Sequence, residues 1–169
     1  MIHVYTGKGK GKTTAAMGLA LRALGARKSV VIIRFLKGDK SSGEIKMLAR
    51  LSGARIFSFG SGRRVQLGKV SARDRSQAIE GWKKARRLMA SRFSGLLVLD
   101  EINNALAAGL LPAREAATEL KRRSKQMEIV LTGRNAPDAV ISVADYVTEM
   151  KKIKHPWRRG CPARSGVEY

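Results

Sequence analysis

Cysteine is almost absent from these 169 residues: Cys161 stands alone. That excludes a disulfide framework and a cysteine-held metal cluster, and it fits a reducing compartment. No run of about 18 apolar residues occurs, so no helix is expected to cross a membrane. No charged-then-apolar leader is present either, and the expected location is the cytoplasm. Aromatic residues make up only 5% and do not interleave with the basic clusters, which removes the stacking platform of a single-strand binder. Acids are scarce: 13 Asp and Glu face 34 Lys and Arg, a net charge of +21. Such an excess points to anionic partners, either nucleic acid through counterion release or a polyphosphate bound by a basic-surfaced protein. Missing too are a Cys–His pair, a serine nucleophile elbow and two histidines at metal spacing. His3 lies in an apolar strand and reads as a packed histidine, whereas His155 sits in a polar tail.

What is present starts at Ile2. A short apolar strand, Ile2 to Tyr5, runs into Thr6-Gly7-Lys8-Gly9-Lys10-Gly11-Lys12-Thr13-Thr14 and then an Ala-rich helix. Glycines let successive backbone N–H groups turn onto a polyphosphate, and the helix N-terminus adds favourable partial charge. Lys12 is placed to reach the phosphates and the Thr13 hydroxyl to join the shell of Mg²⁺. The spacing departs from G-x-x-x-x-G-K-[ST]: either Thr6 replaces the first glycine, or the cradle counted from Gly7 is one residue short. The motif predicts binding of a nucleoside triphosphate.

The rest of the chain alternates between strand and helix patterns. Ser29 to Phe35 is a nearly continuous apolar run, expected to be buried on both faces. Gly43 to Leu51 predicts a short helix and Arg55 to Phe59 a strand. Arg73 to Arg92 predicts the longest helix, with Ala78, Trp82, Ala85, Leu88 and Met89 on its core stripe and Lys83, Lys84, Arg86 and Arg87 opposite. Gly95 to Asp100 and Glu128 to Thr132 are further strands, with a helix from Pro112 to Arg123 between them. Pro137 to Ala144 predicts a short helix and Tyr146 to Met150 an edge strand. The expected fold is a three-layer phosphate-loop α/β fold with a mostly parallel sheet of about six strands and right-handed crossovers. At this length a single domain, residues 1–169, is expected to bury roughly 70% of its unfolded surface. Residues 151–169 form an irregular tail carrying six Lys or Arg against Glu168 alone.

Leu96 to Glu101 (LLVLDE) ends a buried strand on two adjacent carboxylates, where phosphate-loop proteins carry the acid that holds Mg²⁺ directly or through water. Alternation along a strand lets only one of Asp100 and Glu101 face the metal unless the strand has ended. The bland reading is an acid that caps the next helix.

Several segments together resemble the phosphate-loop family of ATP:corrinoid adenosyltransferases. They are YTGKGKGKTTAAMGLALRALG (Tyr5 to Gly25), FLKG (Phe35 to Gly38) with Gly43-Glu44, and VLDEI (Val98 to Ile102). The likeness continues through LTGRNAPDAVISVADYVTEM (Leu131 to Met150), KHP (Lys154 to Pro156) and ARSGVEY (Ala163 to Tyr169). The resemblance implies transfer of the 5′-deoxyadenosyl group of ATP to a corrinoid reduced to Co(I), with release of triphosphate. Co(I) is then the nucleophile, and no catalytic side chain is assigned. It further implies ATP contacts by Thr6 through Thr14, Arg22 and Arg134, Mg²⁺ held by Thr13 and Glu101, a homodimer, and a reductase partner. The chain departs from the family pattern in three places, the first being that better-known members carry, ahead of the first strand, an N-terminal extension that covers the corrinoid. Gly60 to Ser71 carries Arg63, Arg64 and Val65 and lacks the usual aromatic pair that crowds the cobalt, and Arg34 replaces a Gln before Phe35. The alternative kept open by the charge is a basic phosphate-loop ATPase or nucleic-acid-binding module, predicting ADP and phosphate as products.

Overall fold

The computed structural model describes residues 1–38, 42–60, 70–123, 126–154, 156 and 160–167. Strands β1 (Ile2–Thr6), β2 (Val30–Phe35), β3 (Ala54–Phe59), β4 (Leu96–Asp100), β5 (Glu128–Thr132) and β6 (Tyr146–Glu149) form one sheet. Helices α1 (Lys12–Gly25), α2 (Gly43–Leu48), α3 (Ala72–Ala90), α4 (Ile102–Ala107), α5 (Ala113–Arg123) and α6 (Asp138–Ile141) connect them. The order across the sheet is β3-β2-β4-β5-β1-β6, and every recorded pairing is parallel. Among the described residues no helix is long and apolar enough to cross a membrane.

Parallel strands need helices on both faces, and the residue pattern supplies them. β2 is buried at all six positions, and its alternate residues serve two cores. Val30 and Ile32 join Ala16, Met17 and Ala20 of α1 with Ile45 and Leu48 of α2. Val31, Ile33 and Phe35 join the core formed with α3, α4, α5 and α6. The chain thus leaves β1 and β2 toward one face and leaves β4 and β5 toward the other. Loops that part in this way open a crevice along the carboxyl edge of the sheet.

The predicted stripe of α3 is the buried one: Ala78, Trp82, Ala85 and Met89 face the core, with Leu88 half-buried. Ser71 caps this helix in a reciprocal box: its hydroxyl accepts from Asp74 N at 3.1 Å, and the Asp74 carboxylate accepts from Ser71 N at 3.1 Å. Lys84, expected to face outward, lies over the Phe57 ring at 4.2 Å and covers an aromatic face with a cation. β6 is the edge strand, exposed at all four positions.

Several element ends shift from the sequence pattern, among them α6, which stops at Ile141 and not at Ala144, and one helix is added. α2 stops at Leu48, and the expected continuation to Leu51 gives way to a tight turn in which Leu51 N donates to Leu48 O. α5 opens after Pro112, whose carbonyl accepts from Ala116 N, so its missing N–H costs nothing there. α4 is an addition. Its six residues, INNALA, are too short and too polar at the start to show a helical period.

Candidate functional site

The phosphate loop turns between the last residue of β1 and the first of α1. Thr6 belongs to the strand, and its hydroxyl accepts from Ala136 N at 3.2 Å. The turn itself begins at Gly7 (φ 95°) and closes at Gly11 (φ 112°), both in the left-handed region that only glycine adopts freely. Lys12 is buried, and its ammonium donates to the carbonyls of Gly7 (2.8 Å) and Gly9 (2.6 Å). Burial lowers the Lys12 pKa, the Arg134 guanidinium lowers it further, and Glu101 opposes both. Lys8 and Thr14 are exposed beside the loop, and the Lys10 ammonium donates to Val167 O at 2.9 Å.

The second half of the site comes from the ends of β4 and β5. Asp100 is wholly buried. Its Oδ1 accepts from the Thr13 hydroxyl (2.8 Å) and the Thr132 hydroxyl (2.7 Å), and its Oδ2 from the Lys37 ammonium (3.2 Å). Thr132 also accepts from Glu101 N at 2.9 Å, so one hydroxyl on β5 ties both acids in place. Arg34, only 2% exposed, is in register with Asp100 and donates to the Ser58 hydroxyl at 3.5 Å.

Glu101 resolves the alternation problem posed by two consecutive acids. β4 ends at Asp100, and Glu101 takes a left-handed conformation, φ 63° and ψ 14°. The turn swings its side chain back toward the same crevice, where Lys37 reaches both carboxylates, at 3.2 Å and 3.8 Å. A non-glycine residue held in this region is strained, and the surroundings fix it: Thr132 holds its N–H and Asn104 donates to its carboxylate. Thr13 is bonded to Asp100, so Asp100 stands beside the hydroxyl and Glu101 one step away.

Burial raises the Glu101 pKa above the usual glutamate value of 4.5, Asp100 adds to the rise, and Lys37, Lys12 and Arg134 oppose it. A raised folded-state pKa means the native chain binds more protons than the unfolded one there. The stabilising contribution is full below about pH 4.5 and is lost as pH climbs through the folded value. Glu101→Gln is therefore expected to raise the Tm at pH 7 and leave it unchanged near pH 4. Thermal unfolding at both pH values checks this, and an equal shift at both would assign the effect to packing.

Of the residues expected to contact nucleotide or metal, the structure gathers Gly7 to Thr13 with Glu101 and Arg134 at one edge. The Arg134 backbone N–H donates to Asn104 at 2.6 Å, and its charge is felt by both Lys12 and Glu101. Arg22 is not gathered there. It lies in the last turn of α1, about 15 Å along the axis from Lys12, where its charge acts on the half-buried Tyr5 phenol. Burial raises the Tyr5 pKa and Arg22 partly offsets the rise. His3 is packed as expected: it stacks on Tyr146 with ring centroids 4.7 Å apart and bonds Glu128 at 2.9 Å. Arg63, Arg64, Val65 and His155 lie outside the described residues. Sequence reasoning does not assign Lys37, Asn104 or Thr132 to the site, although Lys37 follows β2, Thr132 ends β5 and Asn104 lies in the first turn of α4, at the carboxyl edge where ligand residues collect.

Asp100, Glu101 and the Thr13 hydroxyl are hard oxygen donors of the kind Mg²⁺ takes. Among the described residues no group of three or more His, Cys, Asp or Glu is arranged around a metal. An ion here would complete its shell from water and phosphate oxygens.

A glycine-cornered loop, its buried lysine and a carboxylate bonded to the loop threonine define a phosphate-loop nucleotide-binding α/β protein. The solved cytoplasmic domain of EssC shares the fold, with a TM-score of 0.53 at 14% identity, over 97% of this chain and 33% of that one. The model of the family ATP:corrinoid adenosyltransferase BtuR/CobO/CobP matches residues 1–169, and the chain belongs to that family. A corrinoid adenosyltransferase of Sinorhizobium sp is 38% identical over 172 residues, covering all of this chain and 80% of that protein. Those of Pseudomonas aeruginosa and Escherichia coli K12 are 36% and 33% identical, again over the whole of this chain and over 83% and 85% of theirs.

Proposed function

We propose that this chain, acting as one domain, transfers the 5′-deoxyadenosyl group of ATP to the cobalt of a corrinoid reduced to Co(I). The family match over residues 1–169 carries this reading. The reaction forms a Co–C5′ bond and breaks the C5′–O bond, whose electron pair leaves with triphosphate. Co(I) brings its own nucleophilicity, so the protein has to position, exclude water and stabilise charge. That division of labour accords with a sequence that offers no covalent catalyst.

In this reading the loop amides other than that of Gly9, whose N–H is bonded to Met150 O, hold the triphosphate together with Lys12, and their positive potential grows more favourable as the leaving oxygen gains charge. Arg134 and Arg22 are assigned to ATP, Arg134 beside the loop and Arg22 farther along α1. Lys37 keeps the two acids paired in a strongly basic site. Thr13 and Glu101 would hold Mg²⁺, with Asp100 orienting Thr13; the ion would neutralise part of the triphosphate charge. We further assign a cytoplasmic homodimer, served by a protein that supplies the electron for Co(I).

The test is anaerobic: protein, MgATP and chemically reduced cob(I)alamin, with absorbance reporting Co–C bond formation and chromatography identifying products. Adenosylcobalamin with one triphosphate per turnover is the expected result. ADP and phosphate, stimulated by DNA or RNA and suppressed by salt, would instead support the basic ATPase reading motivated by the charge of +21.

A further inference from the structure

The three glycines of the phosphate loop share one neighbour that no nucleotide requirement explains. Past β6 the chain runs directly against the loop. Met150 N donates to Thr6 O at 2.9 Å, and Gly9 N donates to Met150 O at 2.6 Å. A Cβ on Gly7 would lie 2.6 Å from Met150 O. A Cβ on Gly9 would lie 2.6 Å from the same oxygen and 2.8 Å from Lys151 O. A Cβ on Gly11 would meet the Met150 sulfur at 3.3 Å. Farther on, Val167 O accepts from the Lys10 ammonium at 2.9 Å.

These contacts change what the glycines are for. Backbone oxygens cannot retreat as a flexible side chain can, so a loop residue larger than glycine at position 7 or 9 would push Met150 and Lys151 off the loop. The Gly9 N–H, which in a phosphate cradle would turn inward, is taken by a backbone carbonyl from the far end of the chain. The loop's curvature is thus set from two sides: by Lys12 drawing the Gly7 and Gly9 carbonyls inward, and by Met150 drawing the Gly9 amide outward.

We propose that the backbone following β6 at Met150 and Lys151 is an integral part of the nucleotide site, a clamp that fixes the phosphate loop in its binding shape, with Met150 as a positioning residue acting through Gly9. It rests on the nucleotide-site reading above. ATP affinity therefore depends on a strand end that makes no contact with phosphate itself, and nucleotide and clamp stabilise each other by linkage.

Calorimetric titration of MgATP into the full chain, without corrinoid, tests this. Met150→Pro removes the N–H that bonds Thr6 and redirects the carbonyl that holds Gly9. It is expected to weaken ATP binding at least tenfold while corrinoid affinity stays within twofold of the unmodified chain. Met150→Leu keeps both backbone bonds and an apolar cover over Gly11, and it is expected to bind ATP within twofold. ATP affinity unchanged in Met150→Pro, or an equal loss of corrinoid affinity, overturns the clamp.

Because Met150→Pro disturbs β6 and can fail to fold, amide exchange on the unmodified chain supplies a second readout. MgATP is expected to slow exchange at Gly9 and Met150 together at least fivefold, and no change at Met150 overturns the proposal. A chain that binds ATP with this coupling yet makes no adenosylcorrinoid would sink the assigned reaction and leave the clamp standing.

Discussion

Lys12→Ala is expected to lower kcat/KM for ATP by at least about 100-fold, the range lost when one preorganised donor to developing charge is removed. Two effects add. The triphosphate loses its buried cation, and the Gly7 and Gly9 carbonyls lose the ammonium that draws them together at 2.8 Å and 2.6 Å. Initial rates of triphosphate release under anaerobic conditions measure it. Corrinoid affinity should hardly move, and a loss of less than about tenfold in kcat/KM would show that the loop binds through its amides alone. The pH profile supplies an internal check. Burial and the Arg134 charge lower the Lys12 pKa from the ordinary value of 10.5, so the proton is lost at lower pH than from a free lysine. The alkaline limb of kcat/KM for ATP is therefore expected below 10.5, and Arg134→Ala should move it upward.

Asp100→Ala is expected to be the most damaging single change at the acidic side of the site, in stability as well as turnover. The carboxylate is wholly buried and receives Thr13, Thr132 and Lys37. Its removal strands two hydroxyls, each at about 1–3 kcal/mol, while Lys37, a third exposed, recovers water. A loss of about 3 kcal/mol in unfolding free energy follows. Turnover should fall by at least about 100-fold, because the Thr13 hydroxyl loses its orienting partner. Urea unfolding and the anaerobic assay at saturating MgATP measure the two effects. Glu101→Ala separates the acids: if turnover survives it but not Asp100→Ala, the Mg²⁺ assignment moves from Glu101 to Asp100.

The parts of this site that are legible in the sequence are those written as local patterns. A strand followed by alternating glycine and lysine gives the loop, and an apolar run ending in Asp-Glu gives the acids. The stripe of α3 follows from spacing alone, as do β2 and the edge position of β6. The helix α4 is not legible, since Glu101 launches it from a left-handed turn that Glu has no intrinsic preference for. That same turn decides where two consecutive carboxylates point, so their convergence is a tertiary fact. Lys37 and Thr132 join the site by sheet order: β5 lies between β1 and β4, and only that arrangement puts a β5 hydroxyl within reach of the acid that holds Thr13. Met150 reads from the sequence simply as the end of an edge strand. Its contact with Gly9 joins residues at opposite ends of the chain, which no local spacing encodes.

The place of β1 in the sheet also governs when the molecule can become complete. Its partners are β5 and β6, so β1 waits during synthesis for segments that begin at Glu128 and Tyr146. Its hydrogen bonds span nearly the whole chain: Ile2 N reaches Asp145 across 143 positions, and Lys10 in the loop beyond it reaches Val167 across 157. During synthesis, β2, β3 and β4 can assemble with α3 behind them while β1 has no strand to pair with. Closing so long a loop is costly in chain entropy, and until it closes an apolar strand edge is open to wrong partners. The phosphate loop is encoded well before the segment that clamps it, and a chain interrupted before β6 would carry the whole motif with Lys12 alone to shape it.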